Sequence, residues 1–183
     1  MPKIPPVFLN WIVAIVVAVA VGHGLLVCLD CAGIGDWDAF NAWGLVARRS
    51  VVTFHELPLW NPYDCGGASI PGNFQTRVYA PSFALVLLFG QIVGNRLWVL
   101  ICLALGFEGM RRLVATYAIG RWGAWFAAIS FVANGSIMMR IAVGHLGDVP
   151  LLLLPWLIMW VRRCWEDRWS TLVPACCLSA ICF

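Results

Sequence analysis

The sequence predicts an all-α membrane protein, a multi-span transmembrane helical bundle with a long first extracytoplasmic loop that carries amphipathic interfacial helices. Three observations predict it. Hydrophobic residues are 62% of the chain and charged residues 11%, against about 45–50% and about 25% in a soluble domain. Apolar stretches recur from end to end. The polar, Gly-, Pro- and aromatic-rich residues instead gather in one place, residues 30–80.

The first stretch, VFLNWIVAIVVAVAVGHGLLVCL over 7–29, holds no Asp, Glu, Lys or Arg and matches the ~20 residues that cross hydrocarbon. A secretory leader is the competing reading. The long apolar region, the single Lys of MPKIPP and the lack of a small-x-small cleavage site speak against it. Residues 81–94 are too short to span and predict an interfacial or re-entrant helix. Residues 96–115, 122–140 and 149–161 predict three further spans, and 170–183 predicts a fifth cut short. One transmembrane domain over 1–183 follows, with the cut helix suggesting an N-terminal fragment.

Positive charge sets the orientation, because cytoplasmic loops carry the excess of Lys and Arg. With alternating spans, Lys3, Arg111, Arg112, Arg121, Arg162, Arg163 and Arg168 share one side, and Arg48, Arg49, Arg77, Arg96 and Arg140 the other. Seven against five puts the N-terminus in the cytoplasm and the long loop outside the cytoplasmic membrane. The net charge of +3 is small and unclustered, which excludes a nucleic-acid footprint. Cys102, Cys176, Cys177 and Cys182 lie in apolar runs, as small hydrophobes do. Cys31 and Cys65 share the outer loop, where a disulfide is chemically permitted but not fixed by sequence.

Within the loop, GDWDAFNAWGLVARRSVVTFHE places apolar residues at 37, 40, 43/44, 47, 51 and 54, one face of a helix. It reads as an amphipathic helix with Trp37, Phe40 and Trp43 dipping into the membrane interface. Asp36 stands at its start, either as an N-cap or as a catalytic acid. Asp38, two residues on, points to another face and is the secondary candidate. ELPLWNPYDCGG is stiffened by two prolines and ends in two glycines, which predicts a tight turn. Trp60, Tyr63, Phe74 and Tyr79 offer flat faces, and Asn61, Asp64, Asn73 and Gln75 offer amides and a carboxylate, a combination that suits a sugar. Interfacial Trp and Tyr also anchor membrane proteins that bind no ligand. Glu108, inside a predicted span, is either a buried functional acid or, with Arg111 and Arg112 at i+3 and i+4, a helix-surface ion pair, which the spacing favours. Arg140, His145 and Asp148 cluster on the loop's side, His145 as a metal or proton-transfer candidate or a hydrogen-bonded loop residue.

The order GD, LPLWNPY, GG, N-Q and Y-P, followed by GHL and LLPW, resembles the N-terminal part of the YfhO-like bacterial membrane proteins over residues 8–165. These are related to the GT-C superfamily of integral-membrane glycosyltransferases. The resemblance implies a GT-C-like fold and transfer of a sugar from a polyprenyl-phosphate carrier, in the lipid bilayer, to an extracytoplasmic acceptor. It makes Asp36 the general base and Arg77 or Arg140 the partner of the leaving phosphate. Trp60, Asn61, Tyr63, Gln75, Tyr79 and His145 complete the expected substrate site. A divalent metal is compatible with such a site, with no ligand set assigned. Family members have more spans than the four or five here. Two other classes compete: a non-catalytic membrane protein assisting envelope polysaccharide assembly or export, and a transporter, for which intramembrane ionisable residues and broken helices would be expected.

Overall fold

The computed structural model describes residues 6–27, 35–166 and 176. In chain order the helices are α1 (Pro6–Val21), α2 (His23–Val27), α3 (Trp37–Val52), α4 (Pro81–Phe89), α5 (Gln91–Ala115), α6 (Arg121–Val132), α7 (Gly135–Val143) and α8 (Leu154–Glu166). Between α3 and α4 lie two short antiparallel strands, β1 (Trp60–Asn61) and β2 (Ala68–Ser69), paired Trp60 to Ser69 and Asn61 to Ala68. Cys65, Gly66 and Gly67 turn the hairpin with φ of 48°, 83° and 117°. The rigid turn expected of the Pro- and Gly-rich stretch is this hairpin. Cys31 and the stretch 170–183, apart from Cys176, lie outside the described residues.

The multi-span bundle is not what these residues form. Among them, one helical stretch, Arg121–Val143, is long and apolar enough to cross a membrane. Hydropathy counts residues, but a span also needs ~20 of them in one helix. The first apolar stretch breaks at Gly22, leaving a 16-residue α1. Residues 81–94 divide at Gly90 between α4 and α5. Helix α5 has the length, at 25 residues, but carries Arg96, Glu108, Arg111 and Arg112. The stretch 149–161 opens as a five-residue 3-10 turn before the 13-residue α8. Even the qualifying stretch is interrupted at Ala133–Asn134, where the Asn134 carboxamide accepts from the Ser136 N–H at 2.7 Å.

Contacts divide the chain into two compact units, Met1–Gly24 with Val99–Met138 and Asp148–Phe183, and Leu25–Trp98 with Met139–Gly147. In the first, α1 packs on α6, with the Trp125 indole N–H donating to Asn10 Oδ1 at 3.4 Å, and the small residues Ala14 and Ala18 of α1 and Ala124 and Ala128 of α6 are buried. Val99, Cys102, Leu103 and Phe107 of α5 are buried in the same unit. A second apolar cluster there sets Leu153 against Leu105, Trp156, Leu157 and Trp160. The other unit has a core of Ala47, Ile70 and Val78, flanked by Val46 and Phe83. It joins α3 to α4 and to the 3-10 turn Phe74–Thr76, and so holds the polar segment in one body.

Candidate functional site

The site grows from the start of α3. Trp37 begins the helix and is buried at 2% exposure, with its indole N–H donating to the Ile141 carbonyl at 2.9 Å. It is therefore covered by protein and not by lipid. The periodicity that found this face could not say what would cover it. One residue earlier, the Asp36 N–H donates to the Val143 carbonyl at 2.8 Å. Two glycines permit that approach. Gly35 has φ of 72°, and a Cβ there would meet Val143 Cγ1 at 2.8 Å; Gly144 has φ of 101°, and a Cβ there would meet the Trp37 backbone nitrogen at 2.7 Å. Any side chain at either position would be strained twice, by its backbone angle and by its neighbour.

This docking brings Asp36 to His145. The Asp36 Oδ2 and His145 Nε2 atoms lie 3.0 Å apart, although 109 residues separate them in sequence. Asp36 occupies the N-cap position of α3 but makes no side-chain cap bond, so its carboxylate serves the imidazole and not the helix end. The side chains are 56% and 45% exposed, which leaves the pair open to solvent. The Phe40 ring meets the His145 ring edge-on, centroids 6.2 Å apart, and meets Trp43 at 5.6 Å. Trp43 in turn donates to Asp64 Oδ2 at 3.2 Å, tying α3 to the hairpin. Asp38 is exposed, as its helical position predicts.

The remaining predicted residues divide into two sets. Trp60, Tyr63 and Tyr79 are exposed at 56%, 67% and 77%, the Trp60 indole lying against Gly67. Gln75 is exposed, and its backbone N–H donates to Asn73 Oδ1 at 3.0 Å. Arg140 is exposed in the turn whose carbonyl accepts from the His145 N–H at 2.8 Å, so it lies in the same turn as the imidazole. Asn61 is instead buried, its Oδ1 accepting from the Tyr63 N–H at 3.0 Å, a structural role within the hairpin.

Arg77 closes the 3-10 turn in a left-handed conformation, φ 53°. Its guanidinium turns inward and Nη2 lies 3.4 Å from Asn95 Oδ1 on α5. The Asn95 amide donates onward to Asn41 Oδ1 on α3 at 3.0 Å. Sequence reading missed this chain of amides, since Asn41 and Asn95 belong to different helices. Arg77 Nη1 and Asn41 Nδ2 are buried donors with no hydrogen-bond partner among the described residues. An unmet buried donor carries a desolvation cost of about 1–3 kcal/mol, and both would be satisfied by an acceptor oxygen. Burial pushes the Arg77 pKa down to about 10, which leaves it protonated at neutral pH.

Among the described residues no group of three His, Cys, Asp or Glu side chains is placed to hold a metal. Asp36 and His145 offer two donors with no third, so no chemical step is assigned to a metal here. Cys65 is exposed, and Cys31, with which a disulfide is chemically permitted, lies outside the described residues. Set against known family models, curated proteins and solved structures, the chain matches none.

Proposed function

We propose that the chain transfers a sugar from a polyprenyl-phosphate donor to a hydroxyl acceptor at the outer face of the cytoplasmic membrane, with Asp36 as general base. One observation carries this reading. Asp36 leaves its capping duty and forms an exposed pair with His145 at 3.0 Å. The acceptor oxygen attacks the anomeric carbon while its proton passes to the Asp36 carboxylate. The bond between the anomeric carbon and the phosphate oxygen breaks, and its electron pair leaves with the polyprenyl phosphate. His145, donating to Oδ2, fixes the carboxylate so that Oδ1 faces the acceptor. A single displacement of this kind inverts the anomeric configuration.

The leaving phosphate needs cations, and Arg77 and Arg140 are the candidates, Arg77 with a buried donor still unmet. The exposed rings of Trp60, Tyr63 and Tyr79 suit the apolar faces of a sugar. The likeness of the LPLWNPY and GG segments to the YfhO-like proteins supports the choice of a polyprenyl-linked donor.

The test is transfer of radiolabelled hexose from polyprenyl phosphate in membranes containing the chain, with protein levels matched. Asp36→Asn keeps size and capping ability but removes the proton acceptor, so transfer should fall by ~10²–10⁴-fold. Asp38→Asn should cost less than about threefold, because Asp38 lies on another face. Asp36→Asn activity within about twofold of wild type would reject the base role and leave a non-catalytic protein of envelope polysaccharide assembly.

A further inference from the structure

A second built site lies in the other unit, where the end of α5 meets α8. Glu108 is 1% exposed, and it grips Arg111 through Nε and Nη2, both at 2.7 Å, and Arg112 through Nε at 2.6 Å. The carboxylate thus accepts three charge-assisted hydrogen bonds, which orient the Arg111 guanidinium through two contacts and the Arg112 guanidinium through one. Arg111 Nη1 and both Nη groups of Arg112 keep their N–H donors without a protein acceptor among the described residues. These two arginines, Arg163, Thr116, Trp156 and Trp160 line a cavity of about 360 Å³. Among the described residues, three arginines stand against one glutamate, a balance of +2. Its aromatic wall is held in place: the Trp156 N–H donates to the Leu105 carbonyl at 2.8 Å, and the Arg112 guanidinium lies 5.1 Å from the Trp156 ring centre.

We propose that this cavity binds the phosphate headgroup of an anionic phospholipid. Guanidinium pairs with fixed orientation match phosphate oxygens better than lysines would. Charge alone would also suit free phosphate, but two features select a lipid. Trp156, Met159 and Trp160 line the cavity along the turns of α8 that precede Arg163, giving an apolar bed for the part of the ligand behind its phosphate. The other face of α8 leaves Ile158, Val161 and Trp165 exposed at 43%, 50% and 90%, an uncovered apolar row that hydrocarbon would cover. Basic pockets beside apolar helix faces are the usual seat of acidic headgroups. The site holds whether or not the chain transfers sugar.

The experiment titrates the purified full chain, in non-ionic detergent, with phosphatidylglycerol, phosphatidylcholine, inorganic phosphate and a polyglutamate peptide, reading bound ligand by native mass spectrometry. Phosphatidylglycerol should bind at least about tenfold more tightly than phosphatidylcholine, and more tightly than phosphate or the peptide. Arg163→Gln touches no ion pair among the described residues and should weaken phosphatidylglycerol by about three- to tenfold. The triple variant Glu108→Gln, Arg111→Gln, Arg112→Gln removes the receptor without stranding a buried charge and should abolish the preference. If that variant does not fold, Arg163→Glu replaces it and should reverse the preference. Equal binding of the two lipids, an unchanged preference in Arg163→Gln, or tighter binding of phosphate or peptide than of lipid would each overturn the proposal.

Discussion

Glu108 and Asp36 are both acids that meet a basic group, and the two regions around them use that meeting differently. Glu108 is 1% exposed and holds two guanidiniums within 2.7 Å. Asp36 is 56% exposed and meets one imidazole at 3.0 Å. Water weakens the second pair, since exposed ion pairs contribute roughly 0–1 kcal/mol. A buried carboxylate has no such solvent to fall back on, so its partners are a condition of folding. The first arrangement makes a fixed platform. The second leaves an acid that a substrate can reach and that the fold can do without.

The largest effect expected from this contrast is on stability. Glu108→Ala leaves two arginines facing each other without their acid, and breaking a buried pair from one side costs about 3–5 kcal/mol. The low end, about 3 kcal/mol, applies here, because Arg111 and Arg112 side chains are 18% and 42% exposed and can turn toward water. Thermal unfolding in detergent, followed by circular dichroism, measures it. A loss below about 1 kcal/mol would remove the distinction between the two acids.

A smaller loss should follow at Gly144, where the fold and the candidate site share one residue. An alanine there takes on a backbone angle of φ 101° and a Cβ 2.7 Å from the Trp37 nitrogen; left-handed strain of this kind costs about 1–3 kcal/mol. The segment carrying His145 should then part from α3, so transfer falls together with stability. Gly147→Ala is the control, since a Cβ at Gly147 meets nothing within 4 Å. It should be close to neutral in both assays. A Gly144→Ala protein as stable and active as wild type would mean that the close approach does not hold the site.

The two regions also differ in how far the sequence reveals them. Glu108, Arg111 and Arg112 stand at i, i+3 and i+4 of one helix, so their pairing is local and readable, but the spacing does not show that the carboxylate is buried, at 1% exposure, and not on the helix surface. The periodicity of α3 and the place of Asp36 at its start were readable for the same reason. The partner of Asp36 was not, because no spacing rule links residues 109 apart. Nor was the approach of Asn41, Asn95 and Arg77, which come from three elements. A polar triplet inside an apolar run, Gln91, Asn95 and Arg96, was the available signal that α5 faces polar groups. The membrane bundle was overpredicted because composition does not register the helix break at Gly22, the charges along α5 or the 3-10 turn that opens 149–161; among the described residues, only the predicted span 122–140 falls in a stretch long and apolar enough to cross.

The smallest stability effect, and the sharpest form of the contrast, belongs to the Asp36–His145 pair itself. Single variants Asp36→Asn and His145→Gln and the double variant form a cycle that isolates their interaction from everything else each residue touches. For stability the coupling should be below about 0.5 kcal/mol, since both side chains are half exposed and water solvates each one alone. For sugar transfer the outcome should be strongly non-additive. If Asp36 is the base proposed above, Asp36→Asn leaves His145 no carboxylate to orient, so the double variant should be no slower than Asp36→Asn by more than about twofold. His145→Gln alone should lose activity by a smaller factor than Asp36→Asn, because glutamine can still donate to the carboxylate but holds it less rigidly. Independent, multiplying losses would show that the residues act separately and that their 3.0 Å contact is incidental. A large stability coupling with no activity coupling would make the pair a structural link between α3 and the segment after α7, and would leave the exposed acid without a chemical role.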